Sequence, residues 1–224
     1  RSAKIDNEDA RQYQMGFNGN LAQDLGECMR FACDNLVERT VFFGDDAVGF
    51  KGFMNFPGVT VSPASTAAAG GTEWSKKTAA EMVKDINNGL ATVWTNSKGV
   101  FLPNTVFLPL EQFNLLATTP YTLGASAAVF QSALDYVKKY NIYTNQRGKE
   151  LEIIPIRYLK NAAGTAGRMI LQDRSKRNQA LPFPMGYTLQ APVPVPLGAE
   201  FYSEQKHGSY VIRQPLSTLY VDGI

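Results

Sequence analysis

The residues of this chain that could do acid–base chemistry are few. His207 is the only histidine, and a histidine can act as a general base near neutral pH. It lies in "EQKHGSY", a stretch typical of a turn between two strands. Asp45 and Asp46 are adjacent in "GDDAVG" and could form a carboxylate pair, but consecutive side chains at a helix end usually point apart. We therefore interpret His207 as a turn residue and the two aspartates as solvated capping residues.

The two cysteines do not form a recognisable metal or redox site. Cys28 and Cys33 lie five residues apart in a predicted helix, so they face different directions and a disulfide between them is disfavoured. Two thiols and one distant histidine also make a poor zinc site. Both cysteines are predicted to be buried and reduced, which suits an intracellular origin.

The sequence lacks the common catalytic and nucleotide-binding motifs. It contains no G-x-x-x-x-G-K-[ST], H-E-x-x-H, calcium-loop or G-x-S-x-G pattern, and its glycines do not form the dinucleotide fingerprint. The basic cluster "RSKRNQ" at 174–179 has no interleaved aromatic residue and is predicted to be a solvated loop. We therefore predict no catalytic, cofactor-binding or metal-binding residue, and a structural or interaction protein. An enzyme that uses Asp45, Asp46 and Lys51 is a weaker alternative.

Composition excludes several other classes of protein. The chain has 224 residues, 44% of them hydrophobic, and a net charge of +2. It is too apolar for a disordered chain and too weakly charged to recruit nucleic acid or membranes strongly. No apolar run approaches the ~20 residues that cross a bilayer. Because the chain opens on Arg1, we expect a processed or truncated product.

Periodicity predicts a mixed α+β chain rather than alternating βαβ units. Helices are predicted over 20–43, from Thr78 to Gly99, in "LEQFNLL" after Pro109, and from Ser126 to Tyr140. Strands are predicted in "NTVFLP", "LEIIPIRYL", "GRMILQD", "AEFYSEQ", "GSYVIRQP" and "TLYVDGI". The proline-rich "APVPVPLG" is expected to be an extended crossover, because proline cannot donate to a central ladder.

The order of these elements also predicts how they pack. Asn20 is the expected N-cap of the first helix, and Gly44 is expected to end it in a left-handed conformation. This helix is predicted to pack across a sheet that includes residues 208–222, where "AEFYSEQ" and "GSYVIRQP" form an antiparallel pair. The helix over 126–140, with Phe130 buried, is predicted to lie on a sheet made by 151–159 and 167–173.

Three stretches in this order resemble one protein family. The long helix "LAQDLGECMRFACDNLVERTVFFGD" runs into "GFKGFMNFPGV", "LPNTVFLPLEQFNLLATT" follows, and the chain closes on "HGSYVIRQPLSTLYVDGI". The arrangement is similar to the tailed-bacteriophage major capsid proteins of the encapsulin-like, Hong Kong 97-type fold. The resemblance implies a long spine helix on an antiparallel sheet, called the peripheral (P) domain, and a mixed α/β axial (A) domain.

The resemblance further implies domain limits and a function. The P domain would comprise 1–104 and 198–224, with 1–19 a remnant of an N-terminal arm and E-loop that are otherwise missing, and the A domain 105–197. The chain would be a structural subunit of a bacteriophage or prophage icosahedral capsid. It would assemble with copies of itself, as pentamers and hexamers, around double-stranded DNA that it contacts weakly and non-specifically.

Other partners and locations follow from the same resemblance. Scaffold, portal or decoration proteins are possible partners, a membrane is not, and the location would be the virion capsid, with the bacterial cytoplasm during assembly. An encapsulin-type shell that docks a cargo peptide is the main alternative. The candidate assembly contacts are charged or turn residues: Arg30, Glu38, Asp45, Lys51, Arg174, Lys176, Arg177 and His207.

Overall fold

A computed structural model describes residues 2–17, 20–122 and 131–224. The chain forms two units, which we call unit 1 (Arg1–Asn55 and Leu181–Val211) and unit 2 (Phe56–Ala180 and Ile212–Ile224). The predicted domain limits at 104/105 and 197/198 stay a prediction, and the two units divide the chain at other residues. No helix in the described ranges is long and apolar enough to cross a membrane.

The helices and strands of the described residues are as follows. The α-helices are α1 (Asn7–Phe17), α2 (Leu21–Phe43), α3 (Ala79–Asn96), α4 (Leu110–Thr118), α5 (Ala133–Lys139) and α6 (Ile142–Arg147). The first strands are β1 (Ser2–Asp6), β2 (Gly44–Asp45), β3 (Phe50–Lys51), β4 (Thr60–Pro63), β5 (Thr105–Leu108), β6 (Pro120–Tyr121), β7 (Gln131–Ser132) and β8 (Glu152–Pro155). They are followed by β9 (Arg168–Gln172), β10 (Gln179–Ala180), β11 (Met185–Leu189), β12 (Val193–Val195), β13 (Gly198–Lys206), β14 (Val211–Ile212) and β15 (Thr218–Asp222).

The long helix α2 has the predicted limits. The side chain of Asn20 accepts a hydrogen bond from the backbone N–H of Ala22 at 3.1 Å, which caps the first turn. The helix buries Met29, Cys33 and Thr40 on one face. Cys28 is exposed, so its predicted burial is wrong: with 3.6 residues per turn, its side chain points about 100° around the helix from Met29 and about 140° from Cys33.

Gly44 ends α2 and starts the β2–β3 hairpin. Its φ is 81° with ψ −171°, so it has the positive φ expected but not the left-handed helical conformation. A Cβ atom at Gly44 would lie 2.3 Å from the carbonyl oxygen of Phe50 and 2.8 Å from the backbone nitrogen of Gly52. The hairpin strand therefore approaches the helix end more closely than a side chain would permit.

We expect Gly44→Ala to destabilise the subunit more than Gly49→Ala does, by about 1–3 kcal/mol. Gly49 has a similar φ of 74° in the same hairpin, but nothing lies within 4 Å of the position that a Cβ atom would occupy there. Both variants therefore carry the backbone strain of a positive φ, and only Gly44→Ala adds an overlap with backbone atoms. Urea unfolding of the two variants measures the difference, and equal losses would contradict the close approach.

Strand β13 is the centre of an antiparallel sheet in unit 1. It pairs with β1 along one edge and with β11 and β12 along the other. Ile5 of β1, Met29 of α2 and Phe201 of β13 form a small buried cluster between helix and sheet. The predicted pairing of "AEFYSEQ" with "GSYVIRQP" is wrong, since β14 lies outside this sheet. The chain turns away after β13 instead of folding straight back.

Unit 2 is built on a mixed five-stranded sheet in the order β4-β15-β9-β5-β8. Strand β9 is antiparallel to both β15 and β5, and the outer strands β4 and β8 run parallel to their neighbours. The predicted packing of α2 across a sheet that contains residues 208–222 is therefore wrong, because β15 belongs to unit 2 and α2 to unit 1. The first four residues of β15 are all buried, as expected of a central strand.

Helix α3 confirms its predicted start and apolar stripe. Thr78 and Glu81 form a capping box, in which the backbone N–H of Thr78 donates to the Glu81 carboxylate at 2.8 Å. Met82, Ile86 and Leu90 are buried in a cluster that also contains residues of β5, β9 and β15. The helix ends at Asn96, three residues before the predicted Gly99.

Of the helix predicted over 126–140, the described part is helical over Ala133–Lys139. Gln131 and Ser132 pair with β6, and Ser132 then caps α5 by accepting a hydrogen bond from the backbone N–H of Asp135 at 3.1 Å. The prediction of helix at 131 and 132 is therefore wrong, because strand pairing occupies these residues before the cap. The predicted start at Ser126 lies outside the described residues. Phe130 lies outside the described residues. Leu134 and Val137 of α5 are buried in the same core as the sheet.

Candidate functional site

The predicted contact residues on α2 lie on the helix surface. The Arg30 guanidinium is 3.8 Å from the Asp34 carboxylate, and both side chains are largely exposed. Such a pair four residues apart contributes about 0.3–0.5 kcal/mol. Glu38 is half-buried and lies about 12 Å further along the helix axis, since each residue adds about 1.5 Å. Arg30 and Glu38 therefore lie on the surface of the same helix but too far apart to form a single site.

The β2–β3 hairpin brings together the three side chains of the enzyme alternative. Asp45 accepts a hydrogen bond from the backbone N–H of Ala47 at 3.0 Å, and Asp46 lies 3.1 Å from the ammonium group of Lys51. Asp45, Asp46 and Lys51 are all exposed. The first aspartate thus supports the turn and the second forms a surface ion pair, which agrees with the solvated interpretation.

His207 follows the end of β13 and is half-buried. Its ring stacks on Phe183 with the ring centres 6.3 Å apart, and its Nδ1 atom is 3.3 Å from the carbonyl oxygen of Gly208. The imidazole therefore packs against an aromatic neighbour near a chain turn. Its role as an assembly contact stays a prediction.

Arg174, Lys176 and Arg177 are exposed on a tight turn after β9. The turn is closed by backbone hydrogen bonds from Ser175 to Asp173 at 2.9 Å and from Asn178 to Ser175 at 3.0 Å. The Arg174 guanidinium lies 3.5 Å from the carboxylate of Glu152 on β8. The predicted loop is thus a folded turn that displays three cations.

The fold adds two arginines to this turn that the sequence analysis missed. The backbone N–H of Arg213 donates to the carbonyl oxygen of Asn178 at 2.7 Å. Burial is the largest influence on the Asp173 carboxyl and raises its pKa. A hydrogen bond from Asn178 and the charge of Arg147 lower this pKa, so Arg147 lies close to the turn. The five cations come from separate parts of the chain, and we call them the basic surface: Arg147, Arg174, Lys176, Arg177 and Arg213.

A buried polar network lies beneath unit 2's outer strand β4. The Lys77 ammonium group is 2.5 Å from the Asp85 carboxylate, and the two side chains are 0% and 2% exposed. The Trp74 indole N–H donates to the same carboxylate at 3.0 Å, and the Ser65 hydroxyl donates to its other oxygen. This network attaches the segment between β4 and α3 to the helix.

Unit 1 has a cavity of about 390 Å³ between α1, the start of α2 and the sheet. Its apolar wall includes Ile5, Leu21 and Phe201, and its polar wall includes Asn7 and Gln14. Concave sites of this size with mixed lining can accept a small ligand or a peptide side chain. Among the described residues, no group of three or more histidine, cysteine, aspartate or glutamate side chains could hold a metal ion.

A comparison with protein families identifies the family of this chain. The sequence profile of the family described as "Major capsid protein" matches residues 1–224. The chain belongs to the major capsid protein family. This major capsid protein is a structural subunit whose copies associate into a shell, and the place of such a subunit is the virion capsid.

Solved structures support the same fold for this major capsid protein. The capsid of Myoviridae phage XM1 is 13% identical, with a TM-score of 0.80 over 100% of this chain and 72% of that chain. The virus-like particle from Pyrococcus furiosus has a TM-score of 0.55 at 12% identity, over 99% of this chain and 74% of that chain. The holo-SrpI encapsulin complex from Synechococcus elongatus PCC 7942 has a TM-score of 0.57 at 12% identity, over 100% of this chain and 72% of that chain.

These likenesses confirm the predicted fold class of the major capsid protein. It is an α+β chain with the Hong Kong 97-type fold. At identities of 12–13% the likeness shows the fold alone. No curated protein matches the sequence.

Proposed function

We propose that this major capsid protein is the subunit of a bacteriophage or prophage icosahedral capsid, whose copies form pentamers and hexamers around double-stranded DNA. The observation that carries the proposal is the TM-score of 0.80 with the capsid of phage XM1, against 0.55 and 0.57 for the virus-like particle and the encapsulin. All three identities are 12–13%, so the difference reflects the fold and not a closer sequence. In this role the chain catalyses no reaction.

We assign the P domain to unit 1 and the A domain to unit 2. Unit 1 combines the long helix α2 with the antiparallel sheet around β13, and unit 2 has the mixed sheet covered by helices. The A domain then gains β4, α3 and β15, which the sequence-based limits put in the P domain, and the P domain gains β11 and β12. Packing supports the place of α3 in the A domain, because α3 shares a buried core with β5, β9 and β15.

The basic surface is our candidate for weak contact with DNA. Cations spread over one surface attract phosphates without reading base sequence, and such binding weakens steeply with salt. Arg174 is partly neutralised by Glu152, so Lys176, Arg177 and Arg213 are the better candidates. Scaffold, portal and decoration proteins, and assembly in the host cytoplasm, belong to the same proposal.

An encapsulin-type shell is the second candidate function. The likeness to the encapsulin and the virus-like particle favours it, and so does the cavity in unit 1, whose apolar wall could hold a side chain of a cargo peptide. A capsid and a nanocompartment differ in what they enclose. Their contents therefore decide between the two functions.

We expect the complete gene product to form closed shells, and particles recovered from cells that carry the gene in its native context to contain nuclease-protected double-stranded DNA. Sedimentation velocity and negative-stain microscopy detect the shells, and nuclease treatment followed by DNA extraction identifies their contents. Shells filled with a protein cargo and free of protected DNA would support the encapsulin function instead. A product that stays monomeric at high concentration would contradict both functions.

A further inference from the structure

We propose that the outer face of the unit 1 sheet, ending at Leu197, is a contact between copies of the capsid subunit. The inference rests on the proposed function, since it names the partner of a surface in the assembled shell. We call this surface the hairpin patch, and it consists of Val193, Val195, Leu197 and Tyr202. The strands β12 and β13, which carry it, are joined by the turn that contains Leu197.

The conformation of Leu197 is unfavourable for a leucine. Its φ is 71°, and only one other described non-glycine residue, Lys98 with φ 52°, has a positive φ. Residues other than glycine, asparagine and aspartate rarely adopt a positive φ, because Cβ comes too close to the following carbonyl oxygen. Glycine or asparagine would fit the turn with less strain. The leucine side chain therefore needs a reason other than the turn itself.

Packing within the subunit does not provide that reason. The Leu197 side chain is 81% exposed, so it stabilises no core. An apolar side chain that is both strained and solvated costs the isolated subunit stability on two counts. Such a residue gains favourable contacts only when another molecule covers it.

The hairpin is held firmly enough to present this leucine. The backbone N–H of Asn7 donates to the carbonyl oxygen of Leu197 at 2.8 Å, which extends the β1–β13 ladder by one bond. Strand β12 pairs Val195 with Gly198, and β1 pairs Asp6 with the same glycine on the other side. Because β13 is paired on both edges here, the position of the turn is fixed before any partner binds.

The register places the rest of the patch beside Leu197. Val193 lies opposite Glu200, so the two side chains share a face of the sheet. Tyr202 lies two residues after Glu200 on β13 and therefore points to the same face. Val193 and Tyr202 are exposed, and Val195 is half-buried. An apolar patch on an otherwise polar sheet face is typical of a protein–protein contact.

The charges on this face favour a protein over DNA. Lys4 and Asp6 of β1 form an ion pair at 3.6 Å, and the Tyr202 hydroxyl donates to the Glu200 carboxylate at 2.5 Å. Glu204 is exposed on the same face. Lys206, two residues beyond Glu204 on β13, is exposed on this face too. Three carboxylates therefore face two lysines, so the face has no excess of cations to attract phosphate, whereas an apolar centre with a rim of both signs fits a protein surface. In a shell built from one chain, the abundant protein partner is a second copy.

Leu197→Asn tests this contact in the complete gene product. Asparagine tolerates a positive φ, so the variant should keep or raise the midpoint of urea unfolding of the unassembled subunit. We expect the protein concentration at which shells first form to rise at least tenfold. Val193→Ser, on the same face and without a change in backbone conformation, should raise this threshold in the same direction.

Lys98→Asn is the matched control, since it relieves the other positive φ in a turn of unit 2. It should assemble at the wild-type concentration. If Leu197→Asn also assembles at that concentration, the inference is wrong. If it forms shells normally but the shells lose protected DNA, the patch contacts nucleic acid and the inference is equally wrong. A wild-type protein that forms no shells would overturn the proposed function, and this contact with it.

Discussion

Asp85→Ala should lower the free energy of unfolding by about 3–5 kcal/mol, the loss expected when one partner of a buried ion pair is removed. The substitution leaves the Lys77 ammonium group, 0% exposed, without its carboxylate at 2.5 Å. It also removes the acceptor of the Trp74 indole N–H at 3.0 Å. A buried charge and a buried donor would both lose their partners. Urea unfolding of the unassembled subunit measures the loss.

The control for this prediction is the pair formed by Lys160 and Glu111. Their charged groups are also 2.5 Å apart, but both side chains are largely exposed. Glu111→Ala should therefore cost less than about 1 kcal/mol. The double variant Lys77→Met, Asp85→Leu should recover much of the loss, since it leaves no buried charge behind. If Asp85→Ala and Glu111→Ala cost the same, the network is not enclosed.

This network shows what the sequence could and could not predict about α3. The Thr78–Glu81 capping box and the spacing of Met82, Ile86 and Leu90 defined the helix start and its buried face, because both signals are local. Asp85 is buried next to that stripe, which the period alone does not indicate. Its partner Lys77 and the Trp74 indole come from an irregular segment whose path depends on the rest of the fold. Such pairing, between a helical residue and partners 8 and 11 positions before it in a non-α-helical segment, has no signature in the linear sequence.

The two units show the same limit at the level of strands. "TLYVDGI" was recognisable as a strand, but its partners were not, and it pairs with β4 and β9 rather than joining the sheet beside α2. Pairing depends on which faces other elements bury. Since α3 covers the sheet that contains β15, the buried face of this strand is matched by a helix far from it in sequence.

The candidate contact residues were predicted from charge, which gives exposure but not neighbours. Seven of the eight are charged, and the sequence could not tell that Arg147 and Arg213 join the cluster at 174–177. The sequence also did not indicate the positive φ and the exposure of Leu197. In "APVPVPLG" it follows a proline and precedes a glycine, a context that predicts an extended crossover. Only the backbone angle and the exposure of the side chain set it apart.

Leu90→Ala should cost about 2–5 kcal/mol, because it removes a fully buried side chain from the core of unit 2 and leaves a cavity. Leu90 is 0% exposed and packs in the cluster that joins α3 to β5, β9 and β15. The neighbouring Gly89 has Leu171 so close that an added Cβ would lie 2.8 Å from it. Helix and sheet are therefore in tight contact here, and the surroundings have little freedom to collapse into the space.

Leu110→Ala is the matched control, since Leu110 on α4 is 48% exposed in the same unit. It should cost less than about 1 kcal/mol, as surface substitutions usually do. Both variants make the same chemical change, so the difference in urea midpoint isolates burial from helix propensity. If the two losses were equal, α3 would not cover the sheet, and the assignment of α3 to the A domain would fail with it. A Leu90→Ala subunit that still folds should also form shells, because Leu90 is enclosed within one subunit and presents nothing to a neighbouring copy.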